Sequence, residues 1–178
     1  MTTSTFRRAF LHWAFLATFG LVVLGGCVKT GSVVEQQPLG AAGLPRTATV
    51  GVIVKVMNPE WQVDADHLKE GLHKELAAHG WKYGDNPDYM FEITVTDFDK
   101  GSKGAVMFTG TGDAELHADV VLKTRDGVVA AKLAVMGNSK RQSSTSIGGF
   151  NTAWADSLPA RAVRATIEQI TEYLQSRG

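Results

Sequence analysis

The stretch AELHADVVLKTRDGVVAAKLAVMG, residues 114–137, decides the fold. Ala114, Leu116, Ala118, Val120 and Leu122 alternate with Glu115, His117, Asp119, Val121 and Lys123. That period of two is the signature of a strand with one buried face. Asp126-Gly127 supplies a hairpin turn, because both residue types tolerate the backbone angles that such turns demand. A tight two-residue turn at this point sets Leu122 opposite Ala131, Val120 opposite Leu133 and Ala118 opposite Val135. Both strands then offer their apolar side to the same core, as a half-buried sheet requires.

Outward from the hairpin, the same period recurs upstream. Residues 89–98 form a strand with Tyr89, Phe91, Ile93 and Val95 on one face, and residues 47–57 another with Ala48, Val50, Val52, Val54 and Val56. Between them, Leu68, Leu72 and Leu76 recur every four residues, the spacing of an amphipathic helix over 64–79. Asp64 is its expected N-cap and Gly80 its C-terminal cap. A helix between two strands favours a parallel, right-handed crossover. The last helix spans 157–176, with Pro159 near its start and Val163, Ile167, Ile170 and Leu174 as its apolar stripe. The fold class is therefore α+β: a two-layer β-α-β-β-β-α domain, with a four-stranded mixed sheet and both helices on one face. The other face carries Ile53, Val121, Ala130, Ala134 and Met136 among polar residues. It is either solvated or a partner surface.

The amino end is of another kind. Arg7 and Arg8 precede an apolar run over residues 10–24, shorter than the ~20 residues a membrane-spanning helix needs. This is the pattern of an export signal. Leu24-Gly25-Gly26-Cys27 closes it, and Cys27 is the only cysteine. The four residues resemble the lipobox of bacterial lipoprotein precursors. That resemblance implies acylation of the Cys27 thiol by palmitate-like chains, cleavage just before it, and acylation of the new amino terminus. Several acyl chains, each adding about 0.8 kcal/mol per buried CH₂, make such an anchor effectively permanent. Val28 stands where an aspartate would mark inner-membrane retention, so the resemblance implies the inner leaflet of the outer membrane in a Gram-negative host, facing the periplasm. Arg7-Arg8-Ala9-Phe10-Leu11 also fits a twin-arginine export motif, and ordinary secretion stays open beside it. The expected division is a removed signal at 1–26, a flexible lipid-anchored tether at 27–46, rich in Gly, Gln and Pro, and one globular domain at 47–178.

The 18 basic and 18 acidic residues cancel to a net charge of zero, which excludes the electrostatic footprint of a nucleic-acid binder. With Cys27 acylated, no thiol remains for metals or nucleophilic catalysis. His67, Glu70 and His73 lie on the first helix, but the histidines are six apart and diverge around the axis, unlike the four-residue spacing that joins two imidazoles on one metal. Asp97 and Asp99 continue the apolar face of their strand and could share acid–base work. Residues of this type before a glycine, here Gly101, more often close a turn. Gly110-Thr111-Gly112 lacks the lysine of a phosphate loop, and Ser143 to Ser146 lack a nucleophile elbow. Val106, Met107 and Phe108, in a glycine-flanked connection, are either a partner contact or a core-inserted loop.

The strand end Ile93-Thr94-Val95-Thr96-Asp97-Phe98-Asp99-Lys100-Gly101-Ser102, the segment Phe108-Thr109-Gly110-Thr111-Gly112 and the Asp126-Gly127 hairpin together resemble the bacterial lipoprotein family described as domain of unknown function 4410. The glycine-rich segment matches only in part. The resemblance implies the α+β fold and an envelope location, and brings no catalytic residues, cofactor or metal. The resulting expectation is a non-enzymatic envelope lipoprotein, a scaffold or transport accessory. Its partners would be the membrane, through acylated Cys27, and another envelope protein met through Ile53, Val121 and Met136 or through Val106, Met107 and Phe108. The alternative is a ligand-binding or hydrolytic module using Asp97 and Asp99 with the glycine-rich loop.

Overall fold

The computed structural model describes residues 31–101, 113–139 and 157–177. In chain order the elements are β1 (Gly31–Gln37), β2 (Thr49–Val56), a 3₁₀ turn (Pro59–Trp61), α1 (Gln62–Ala78), β3 (Lys82–Tyr83), β4 (Tyr89–Asp99), β5 (Glu115–Thr124), β6 (Val129–Asn138) and α2 (Leu158–Ser176). The strands form one sheet in the order β1-β6-β5-β4-β2-β3. Both helices lie over the face bearing Val52, Ile93, Val120 and Leu133, and pack against each other. The fold class is α+β with both helices on one face, as the periodicity predicts, but the sheet has six strands rather than four.

The two added strands lack intrinsic signal. β3 is two residues long and pairs in parallel with Thr49 and Val50. β1 falls within the segment expected to be a tether. It pairs antiparallel with β6, Val33 opposite Val135 and Val34 opposite Ala134, with a bulge between Glu35 and Gln37. Leu39 and Leu44 behind it are buried, and the Leu39 amide donates to the Tyr173 hydroxyl at 2.9 Å. Residues 31–46 thus belong to the folded body, which begins no later than Gly31.

The parallel crossover from β2 to β4 is present, with Val52 opposite Phe91 and Val54 opposite Ile93. The β5–β6 register is the one derived from the sequence: Leu122 faces Ala131, Val120 faces Leu133 and Ala118 faces Val135. The turn differs. Gly127 N–H donates to Thr124 C=O at 2.9 Å and Thr124 N–H to Val128 C=O at 2.8 Å, which makes a three-residue loop with Gly127 at φ 80°. The pairing then jumps from Lys123–Val129 to Leu122–Ala131. A bulge at Ala130 absorbs the extra residue and restores the register that the buried face demands.

Leu68, Leu72 and Leu76 of α1 and Val163, Ile167, Ile170 and Leu174 of α2 are all fully buried. At about 1.5–3 kcal/mol for each buried side chain, these stripes are what fasten the helices to the sheet. Gly80 (φ 93°) ends α1 as expected, with its N–H on Ala77 C=O and that of Trp81 on Leu76 C=O. The start of α1 is corrected. Asp64 does not cap α1, whose N-cap position is Trp61 without a side-chain bond; Asn58 caps the 3₁₀ turn before it, accepting from the Glu60 amide at 3.0 Å. Asp64 instead sits inside the first turn, buried, with Lys100 Nζ at 2.7 Å, and so ties α1 to the end of β4.

Candidate functional site

The lipobox residues Leu24, Gly25, Gly26 and Cys27, and the apolar loop residues Val106, Met107 and Phe108, lie outside the described residues. What the structure places are the strand end with the two aspartates, the open face of the sheet, and the surface of α1.

β4 carries a bulge where its pairing shifts from Val95–Ala118 to Asp97–His117. Thr96 is the extra residue, and its hydroxyl donates to His117 C=O at 3.3 Å. The bulge inverts the alternation. Phe98 turns to the core, 5% exposed, while Asp97 and Asp99 are exposed on the side away from the helices. The sequence reading placed these carboxylates on the apolar side, and that is corrected here. Asp99 Oδ1 accepts from the Gly101 amide at 2.9 Å, with Gly101 at φ 72°, so it closes a turn. Across the ladder, Asp97 is opposite His117 and Asp99 opposite Glu115. His117 Nε2 leans to Glu115 Oε2 at 3.9 Å, and Glu115 Oε1 accepts from Asn138 Nδ2 at 2.6 Å. Among the described residues no three His, Cys, Asp or Glu side chains form a group able to hold a metal ion.

Ile53, Val121 and Met136 do share the open face, but the structure does not bring them together. Glu92 stands between Ile53 and Val121, Val121 faces Lys132, and Met136 faces His117. Lys123 Nζ bonds both Glu92 oxygens at 2.9 Å. Charged pairs interrupt the face at its centre, while at the β1 edge exposed Val34 stands opposite Ala134, next to Met136 along β6. Of Ile53, Val121 and Met136, the first is the most open, at 41% exposed.

On α1, Glu70 is engaged by Lys74 at 2.7 Å, and this hydrogen bond holds its carboxyl below the usual value. The His73 ring packs against Tyr83 of β3 at a tilt of 47°, with ring centroids 4.2 Å apart. Its Nε2 is buried without a partner, and burial, helped by Lys69, pushes its pKa down. Asp88 is a structural clamp that the sequence did not announce. Its Oδ2 accepts from Thr49 N–H and Oγ1, both at 2.8 Å, its Oδ1 pairs with Arg125 at 2.8 Å, and the Thr49 bonds hold its pKa low. Also unannounced is an open cleft of about 230 Å³ between β1 and α2, lined by Val33, Gln169, Glu172, Tyr173 and Ser176. Reading β1 as a spacer hid it.

Among the described residues no helix is long and apolar enough to cross a membrane. No family model matches the chain, so the likeness to domain of unknown function 4410 stays an expectation. No curated protein matches it either. Solved structures do. The PelC dodecamer from Paraburkholderia phytofirmans is 12% identical and aligns over 81% of this chain and 97% of its own, with a TM-score of 0.55; a point variant of it gives 0.54 over the same shares. A minor lipoprotein from Acinetobacter baumannii is 14% identical over 78% of this chain and 94% of its own, with a TM-score of 0.41. The likeness to PelC is one of fold: nearly the whole of that chain shares this arrangement of sheet and helices.

Proposed function

We propose that the protein is a lipid-anchored lipoprotein of the bacterial envelope, acylated at Cys27, that works without catalysis as a scaffold or transport accessory by contacting another envelope protein. The observation that carries this reading is Leu24-Gly25-Gly26-Cys27, the one cysteine of the chain at the end of an export-type leader. The surface chemistry supports the non-enzymatic part. Asp97 and Asp99 lie exposed on an open sheet face, and Asp99 is occupied in a turn. Self-association is one form the contact can take, since the PelC chain of matching fold is described as a dodecamer. The outer membrane, inner leaflet, is the proposed location, from Val28 after the cysteine.

The test is metabolic labelling with a palmitate analogue, followed by membrane separation. Wild type should take up label and fractionate with the outer membrane, and Cys27→Ala should do neither. An unlabelled wild type with an intact leader, by mass, overturns the reading.

A further inference from the structure

A spacer over residues 27–46 would let the domain roam, whereas the fold leaves almost no spacer. β1 begins at Gly31, so only Val28, Lys29 and Thr30 separate the folded sheet from Cys27. At about 3.3–3.6 Å per residue for a fully stretched chain, four steps reach roughly 14 Å at most. A flexible 20-residue linker would instead have an r.m.s. reach of about 25 Å and a stretched length near 65 Å.

We infer that the domain rides directly on the lipid surface, pinned at the corner of its sheet where β1 begins and β6 ends, with the corner at β3 and the loop before β4 turned away from the bilayer. This rests on the acylation of Cys27 proposed above. The pinned corner is set by the pairing of Gly31 with Gly137 and of Ser32 with Met136. The far corner lies five inter-strand spacings of about 4.8 Å away across the sheet and some eight residues along it, a diagonal of roughly 35 Å. Among the described residues the strand ends beside the pinned corner carry Asp97, Asp99, Asp113 and Glu115, with Lys100 bound to Asp64. The short covalent leash does the holding. A protein partner would then meet the domain within about the height of one small domain above the bilayer.

The acylated full-length protein suits a direct test, because an introduced cysteine is its only free thiol. Ser32→Cys and Asn86→Cys, both at exposed positions, are labelled with a small fluorophore. The protein is reconstituted into phosphatidylethanolamine and phosphatidylglycerol vesicles containing a headgroup-spin-labelled lipid, after mass analysis has confirmed the acyl groups. Most of the emission at position 32 should be quenched and most of that at position 86 retained. Inserting fifteen Gly/Ser residues between Val28 and Lys29 should relieve quenching at position 32 without releasing the protein from the vesicles. Acylated protein with equal quenching at the two positions, or with quenching indifferent to the insertion, overturns this inference and leaves the lipoprotein reading standing. Absence of acyl mass overturns both.

Discussion

Gly137→Ala puts two opposed effects in competition. In a strand, alanine is favoured over glycine by about 0.5–1 kcal/mol, because glycine loses more backbone freedom on folding. Geometry opposes this. A Cβ at Gly137 would lie 2.2 Å from Thr166 Oγ1, 2.3 Å from Ala162 O and 2.6 Å from Thr166 N. Two of these atoms are α2 backbone, so rotating a side chain cannot relieve the clash. The helix must retreat by about 1 Å to regain ordinary contact. Val163, Ile167, Ile170 and Leu174, all fully buried, then lose their fit against the sheet. Overpacking of this kind costs about 1–3 kcal/mol, and backbone involvement puts it near the top. The net destabilisation is about 2–3 kcal/mol, or roughly 5–10 °C in Tm for a domain of this size. Urea unfolding of the full-length protein in mild detergent, followed through buried Trp81, measures it. Gly40→Ala, with nothing within 4 Å of the new Cβ, should be near neutral. Thr166→Ala in the Gly137→Ala background should recover less than half of the loss, since Ala162 O still blocks. A Gly137→Ala protein as stable as wild type would refute the close approach of β6 and α2.

Other perturbations probe the remaining contacts. Burial depresses the His73 pKa, so the folded state binds that proton less well than the unfolded chain. The stability held by neutral His73 is full above about pH 6.5, the unfolded value, and is lost as pH falls through the lower folded value. His73→Phe keeps a ring against Tyr83 and should show a smaller fall in urea midpoint between about pH 7.5 and pH 5 than wild type does. Asp88 has the same sign at lower pH, since its folded pKa is lowered by Thr49. Asp88→Asn should lower thermal stability at neutral pH, with the difference from wild type shrinking as pH falls below about 3.9, the unfolded carboxyl value, and through the lowered folded one. Lys100→Met removes the Lys100 ion pair from the Asp64 carboxylate, which is 6% exposed. It should cost about 1–3 kcal/mol, less than a wholly buried pair because the lysine is partly open to water.

How far the fold was legible depended on where the signal for each strand resides. β5 and β6 carry alternation within themselves, and a one-residue slip would send Val120 and Leu133 to solvent. That is why the predicted register survived a turn of a different type. The Ala130 bulge shows the buried face overruling local turn geometry. β1 has no such internal signal. Its exposed Ser32, Glu35, Gln36 and Gln37 read as spacer because, at an edge, one half-buried contact at Val33 and a ladder to β6 suffice to hold it. Its strand character is written in β6, whose inward residues need a neighbour on that side.

The same distinction governs the functional residues. Strict alternation from Val95 assigns Asp97 and Asp99 to the core, yet Phe98 lies between them, and a core cannot hold both carboxylates while expelling a phenyl ring. Burying the ring is worth about 1.5–3 kcal/mol, and burying an unpaired carboxylate costs more than that. A bulge at Thr96 resolves the conflict, at the expense of one ladder pairing that the Thr96 hydroxyl partly replaces by bonding to His117 C=O. That competition was present in the sequence and could have been weighed there. The shortness of the leash could not, because it depends on where a weak edge strand begins. The proposed acylation of Cys27 would tie the chain to a bilayer; the pairing of Gly31 with Gly137 would then set how closely, and so which side of the molecule a partner can reach.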